Sequence, residues 1–206
     1  MSTTLDTPSE ATLATEQTSS QSAALRLFTV AEYYKIAAAG ILRPEERVEL
    51  IEGRILTMSP KGIMHAACND KASEYLSKVL GNRVIVRNQN PVNLGDDTEP
   101  EPDLVLVAPQ DRRYFDHHPI ASEILLILEI ADSSLEYDRH MKSLLYAKAG
   151  IMQYCLLSLQ SRELEDYRDP SADGYRSKQT YRSDQSFNLV GFTDMAIPVS
   201  ELLPPE

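Results

Sequence analysis

Two short runs, Pro102-Asp103-Leu104-Val105-Leu106-Val107 and Ile124-Leu125-Leu126-Ile127-Leu128-Glu129-Ile130, constrain this chain more than any other feature. A strand with one wet face alternates apolar and polar residues. These runs are apolar at both parities, so each suits a strand covered on both faces. Each also carries one carboxylate. Pro102 cannot donate to a sheet ladder and tends to mark a strand's first residue, which puts Asp103 at a strand mouth. Glu129 stands inside an Ile/Leu run, where a lone carboxylate is costly unless a cation or hydrogen bonds compensate. Two such acids on neighbouring strands could share a divalent metal.

The rest of the chain supplies the covering layers. Thr29-Val30-Ala31-Glu32 is a capping box and Gly40 a stop, so residues 29–39 read as a short helix. Arg47 to Leu56 reads as two strands turning at Gly53. From Gly62 to Leu80 the apolar positions recur at helical spacing, the longest amphipathic helix expected. Val84-Ile85-Val86 is a strand ended by Asn90-Pro91. Ser133-Ser134-Leu135-Glu136 offers a second capping box for a helix running to about Ala149, stopped by Gly150. Residues 151–159, 163–168 and 175–181 look like further strands. This order gives a mixed α/β domain without internal repeats.

A chain of 206 residues is long enough for one domain with a real core. Residues 1–24 are rich in Ser, Thr, Ala and Gln, carry no Lys or Arg, and read as a disordered tail; residues 25–206 read as the single folded domain. That tail lacks the basic start and apolar stretch of a signal peptide, and no segment approaches a membrane span of about 20 apolar residues. The expectation is a soluble, cytoplasmic protein with two buried free thiols, Cys68 and Cys155, rather than a disulfide. A net charge of −11 argues against a protein that coats nucleic acid by bulk attraction. It leaves a nuclease open, because bound divalent ions offset acidic clusters. Charge is uneven: six basic residues against two acids lie between Arg54 and Arg87, and five acids in eight positions between Asp96 and Asp103. Such a pair of stretches fits a metal site beside a phosphate-binding surface, and equally fits ordinary solvated charge.

Each candidate residue has a plainer alternative. Asp103 could be a turn aspartate, and Glu129 a strand-end acid paired with an arginine. Lys142 and Asp138, four apart on the expected helix, share a face and on spacing alone read as an exposed ion pair. His65 and Cys68 lie one turn apart, but no two further soft ligands stand at zinc-site spacing. No phosphate loop, dinucleotide fingerprint or GxSxG elbow is present.

Asp103 after Pro102, then Glu129, then a lysine resembles the PD-(D/E)XK nuclease superfamily, and more closely its Uma-type restriction endonuclease branch. The segments that carry the likeness are Glu49-Leu50-Ile51-Glu52-Gly53-Arg54-Ile55, Met58-Ser59-Pro60 followed by His65, Glu99-Pro100-Glu101-Pro102-Asp103, and Glu129-Ile130-Ala131-Asp132-Ser133-Ser134 through Asp138, Lys142, Tyr146 and Gly150. They span about residues 28–170. Ala131 stands where the superfamily's motif has its lysine, and Lys142 matches the relocated lysine of the Uma-type branch. After Gly150 the chain has Gln153-Tyr154-Cys155 and Ser158 in place of a Glu-Tyr-Trp stretch ending in aspartate, and it has no tryptophan. His140 occupies a position where a small residue is common.

The resemblance implies a restriction-endonuclease-like mixed sheet flanked by helices. It implies that Asp103, Glu129 and the Ile130 backbone carbonyl ligate Mg²⁺ or Mn²⁺, that Glu49 adds a carboxylate or positions a water, and that Lys142 sits by the scissile phosphate. Hard cations prefer such oxygen donors. The implied function is a metal-dependent endonuclease acting on DNA, with a homodimer expected because cutting two strands usually takes two sites. A second reading, a retired nuclease fold that binds nucleic acid or a protein partner, draws on the net charge and the altered stretch around Cys155.

Overall fold

A six-stranded sheet in the order β3-β4-β5-β6-β7-β8 carries both apolar runs at its centre: β3 is Ile85–Asn88, β4 Leu104–Val107, β5 Ile124–Ala131, β6 Gln153–Ser158, β7 Glu163–Ser171 and β8 Gly174–Arg182. The computed structural model describes residues 24–205. All but Ala24 of the expected N-terminal tail therefore lies outside the described residues. Only β5 and β6 run parallel, Glu129 facing Leu156 in register; the other neighbours are antiparallel.

Both faces of the sheet are covered, as the parity of the two runs requires. On one face Leu104, Leu106, Leu126, Leu128 and Ile130 pack beneath α2 (Ile63–Leu80) through Cys68, Ala72, Leu76 and Leu80. The same layer takes in Phe187, Leu189 and Ile197 from a hairpin of β9 (Ser186–Leu189) and β10 (Phe192–Pro198). On the other face Val105, Val107, Ile127 and Ala131 meet Tyr146, Ile151, Tyr154 and Tyr167. Glu129 shares the parity of Ile127 and Ala131, so the strand delivers its carboxylate to this second, tyrosine-rich layer. Both cysteines are buried free thiols. Among the described residues no helix is long and apolar enough to cross a membrane.

The first helix, α1 (Val30–Ala38), uses both halves of its capping box, Thr29 and Glu32. The hairpin of β1 (Val48–Ile51) and β2 (Arg54–Thr57) turns at Glu52 and Gly53, with φ of 46° and 74°. Gly53 is required twice over. Its φ lies in the left-handed region, and a Cβ there would stand 2.6 Å from Leu27 Cβ.

Two expectations need correction. The helix expected from Ser134 to Ala149 is not continuous: a single α turn, α3 (Leu135–Tyr137), passes into a π-helical stretch, Asp138–Lys142, before α4 (Ser143–Lys148). The second capping box does not form: the turn's N-cap is Ser134, one residue later than expected, its hydroxyl donates to Asp138, and Glu136 is engaged by Arg139 and His140. The β9–β10 hairpin is also an addition. Its segments mix polar and apolar residues, and it is tied down by the Gln153 side chain, whose Oε1 accepts from Val190 N and whose Nε2 donates to Asn188 O.

Candidate active site

The mouth of β4 and β5 opens into a cavity of about 480 Å³. Glu49 comes from β1, Asp103 from the residue before β4, Glu129 and Ile130 from β5, and Lys142 from the end of the π-helical stretch; all line this cavity. Every residue expected at the site is therefore present in one place. Distant segments meet because the β1–β2 hairpin is pinned to the acidic loop before β4. Leu50 N donates to Glu99 O, Glu99 N to Leu50 O, and Glu101 N to Glu49 Oε2.

Asp103 is not a solvated turn aspartate. Its Oδ2 accepts from Ile130 N and contacts His65 Nε2, both at 2.9 Å, and Lys61 Nζ lies 2.9 Å from Oδ1. Burial opposes its charge, but the His65 hydrogen bond and Lys61 outweigh that and hold the carboxyl well below the usual range. Glu129 is only 2 % exposed, and its partner is a lysine rather than the arginine considered above. Lys142 Nζ donates to Oε1 at 2.9 Å, Tyr146 OH donates to the same oxygen at 2.7 Å, and Asp103 N donates to Oε2 at 3.2 Å. Burial pushes the Glu129 carboxyl above the usual carboxylate range; Lys142 opposes that shift, and Asp103 and Asp138 add to it.

Lys142 is 7 % exposed, which rules out the exposed pair with Asp138 that spacing suggested. Burial pulls its pKa down, but Glu129, Glu49 and Asp138 surround it and hold the pKa above the ordinary lysine value. Its ammonium lies against Glu129, with Glu49 at 4.0 Å. The π-helical stretch turns both Asp138 and Lys142 inward, and single π turns recur at functional sites for this reason. Ala131 follows Glu129 on the same strand face, with its methyl buried. Lys142 reaches that face from the following helical stretch, so a lysine ammonium stands beside Glu129 although position 131 is an alanine. Asp138 is raised by burial, against the pull of Lys142 and Ser134.

Two cavity residues had no site role assigned from the sequence. Lys61 sits in the loop before α2, and His65 in that helix's first turn. The sequence offers His65 as a poor zinc ligand and as part of the likeness after Met58-Ser59-Pro60, and that second place is the signal for it. Lys61 gave none beyond belonging to the basic stretch, and of that stretch's six Lys and Arg residues only Lys61 lines this cavity. Tyr146 also gains a role, since it remains a neutral donor to Glu129, its pKa raised by burial and by Glu129 and Glu49.

The donor set suits a hard divalent cation. Six carboxylates line the cavity (Glu49, Glu101, Asp103, Glu129, Asp132 and Asp138) against two lysines and one histidine. Among the described residues no three His, Cys, Asp or Glu side chains converge as a ready-made chelate. Mg²⁺ does not require one, because it is commonly held by one or two carboxylates and completes its shell with water and phosphate. Asp103 and Glu129, joined by the Asp103 N–Glu129 Oε2 bond, could serve as that pair, and Ile130 lines the same cavity.

The family model described as "Uma2: Putative restriction endonuclease" matches residues 30–200. The chain belongs to the Uma2 family. No curated protein matches it. Among solved structures, the Uma2 chain is similar to the crystal structure of "a putative nuclease belonging to DUF820" from Anabaena variabilis ATCC 29413. The TM-score is 0.69 at 17% identity, covering 85% of this chain and 97% of that one. At that identity the likeness concerns the fold alone, which this chain shares with that putative nuclease. The expected restriction-endonuclease-like sheet is therefore present.

Proposed function

We propose that this Uma2 protein is a divalent-metal-dependent endonuclease that hydrolyses phosphodiester bonds in DNA. The observation that carries the reading is the meeting of Asp103, Glu129, Glu49 and Lys142, from four separate elements, in one cavity whose acids exceed its cations. Asp103, Glu129 and the Ile130 carbonyl would hold Mg²⁺ or Mn²⁺. A cation there supplies a Lewis acid for the phosphoryl oxygen and lowers the pKa of attacking water.

The chain's own residues do the rest. Ile130 N and His65 fix one Asp103 oxygen, and Tyr146 and Lys142 fix one Glu129 oxygen, so both carboxylates face the cavity without reorganising. Lys142 keeps its proton at neutral pH and offers fixed positive charge to a phosphate as negative charge builds on it. Glu49, anchored by Glu101 N, faces Lys142 and orients the attacking water or adds a ligand. The water oxygen bonds to phosphorus as the bond to the leaving sugar oxygen breaks. A homodimer presenting two such sites would cut both strands.

One observation favours a binding module instead. All four oxygens of Asp103 and Glu129 already have a cation or N–H/O–H donor beside them. Nicking of supercoiled plasmid with Mn²⁺, Mg²⁺ or EDTA, wild type beside Glu129→Gln, separates the two. Metal-dependent nicking lost in the variant supports the nuclease. Plasmid binding with no nicking under any ion would establish the binding module.

A further inference from the structure

Lys61 holds the one Asp103 oxygen that nothing else holds. Oδ2 is fixed by Ile130 N, part of the central sheet, and by His65, part of α2. Among the described residues Oδ1 has only Lys61 Nζ, at 2.9 Å. Among the described residues that ammonium is shielded from solvent yet makes no well-aligned hydrogen bond, so charge attraction dominates its hold on Asp103. Its backbone belongs to the irregular stretch Met58–Gly62, and its side chain lines the open cavity. Lys142 differs on each point: it is built into a helical element and hydrogen-bonded to Glu129.

We infer that Lys61 is a displaceable occupant of the metal site, covering Asp103 Oδ1 until a divalent cation takes that oxygen and moves the ammonium into the cavity. This rests on the metal-site reading above and adds a regulatory element to it. The physical basis is competition: a monovalent ammonium and a divalent cation seek the same oxygen, and both cannot occupy it. The cation replaces the charge that Lys61 withdraws, so Asp103 is never left bare. The released lysine remains at the cavity wall, placed to meet a phosphate. Metal loading and the supply of a second phosphate-binding cation are then one event.

Two measurements on the full chain test this. Calorimetric titration with MnCl₂ compares wild type, Lys61→Met and Asp103→Asn. Lys61→Met is expected to bind Mn²⁺ about fivefold tighter or more, which is about 1 kcal/mol at 1.4 kcal/mol per tenfold. Asp103→Asn is expected to lose binding. Reductive methylation of the unaltered protein, read by peptide mass, is expected to modify Lys61 slowly without Mn²⁺ and several-fold faster with it. This arm needs no folded variant. Wild type that binds Mn²⁺ while Lys61→Met binds equally or more weakly, or Lys61 labelling that Mn²⁺ leaves unchanged, overturns the displacement and spares the metal site. Absence of Mn²⁺ binding in both wild type and Lys61→Met overturns the metal site and the displacement together.

Discussion

Two buried acidic regions of this protein look alike by composition and differ in balance. At the far end of the sheet, Glu165 on β7 is held by Arg139 Nε and Nη2, by Lys178 at 2.9 Å and by the Tyr167 hydroxyl. Its neighbour Asp166 takes Arg168 at 2.7 Å and the Gln153 amide at 2.9 Å. Each acid there has at least one guanidinium, and Glu165 is pulled down to about 2, its burial outweighed by Arg139, Tyr167 and Lys178. At the β4–β5 mouth the acids outnumber the cations, and Glu129 is pushed up. Matched buried charge ties elements together. Surplus buried negative charge is tolerated where a cation from solution can complete it, and that difference marks one region as scaffold and the other as site.

The sharpest way to break the comparison is Glu129→Gln. Plasmid nicking is expected to fall more than about a hundredfold, since even outer-shell partners of metal ligands cost about 10–100-fold. Thermal stability should change little, because the substitution removes one acid from a set in surplus and Lys142 keeps Glu49 at 4.0 Å. A collapse of the fold would show that the site is an ion pair and nothing more. Lys142→Met tests the opposite imbalance. Losing a buried cation strands Glu129 beside Asp103, and the cost without metal is expected to be about 3 kcal/mol or more. Mn²⁺ should restore more stability to this variant than to wild type, measured as the rise in Tm; equal rises would sink the idea that a cation completes the cluster.

How much of this was legible in the sequence follows from what kind of information each part needs. The central strands and the chemistry they carry could be read, because an apolar run of both parities with one acid has few solutions. Asp103, Glu129, Glu49 and Lys142 meet as the resemblance implied. The burial of Lys142 could not be read from spacing: Asp138 and Lys142 at i, i+4 look like a solvated helix pair, and only the π-helical turn against β5 points both inward. Lys61 stayed hidden for a similar reason. A loop lysine has no periodicity, and its meaning comes wholly from Asp103, 42 positions away in the sequence. The β9–β10 hairpin needed Gln153 and the Asp166 cluster to be placed first, which is tertiary information.

Smaller effects sharpen the same contrast. Tyr146→Phe removes one hydroxyl from Glu129 without opening space. A buried hydrogen bond to a charged group contributes about 1.5–3 kcal/mol, and that range is the expected loss by urea unfolding. Nicking should fall as well, since Glu129 loses one of the groups that aim it. A variant with wild-type stability and activity would show that Lys142 alone holds the carboxylate.

Glu165→Gln probes the matched region and should leave nicking unchanged. Its effect lies in pH. The folded-state pKa of Glu165 is depressed from the ordinary 4.5 to about 2, so its carboxylate contributes stability that is present above pH 4.5 and is lost as pH falls toward 2. The partly open setting, with Lys178 at the surface, screens this contribution and keeps it small. The variant should be somewhat less stable than wild type at pH 7, and the gap should close between pH 4.5 and 2 in acid unfolding followed by circular dichroism. A constant gap across that window would mean that Glu165 acts by packing rather than charge. A fall in nicking at pH 7 would mean that Arg139, which lies three positions before Lys142 in the π-helical stretch, transmits the Glu165 contact to the site. The two acidic regions would then be coupled through that stretch instead of independent.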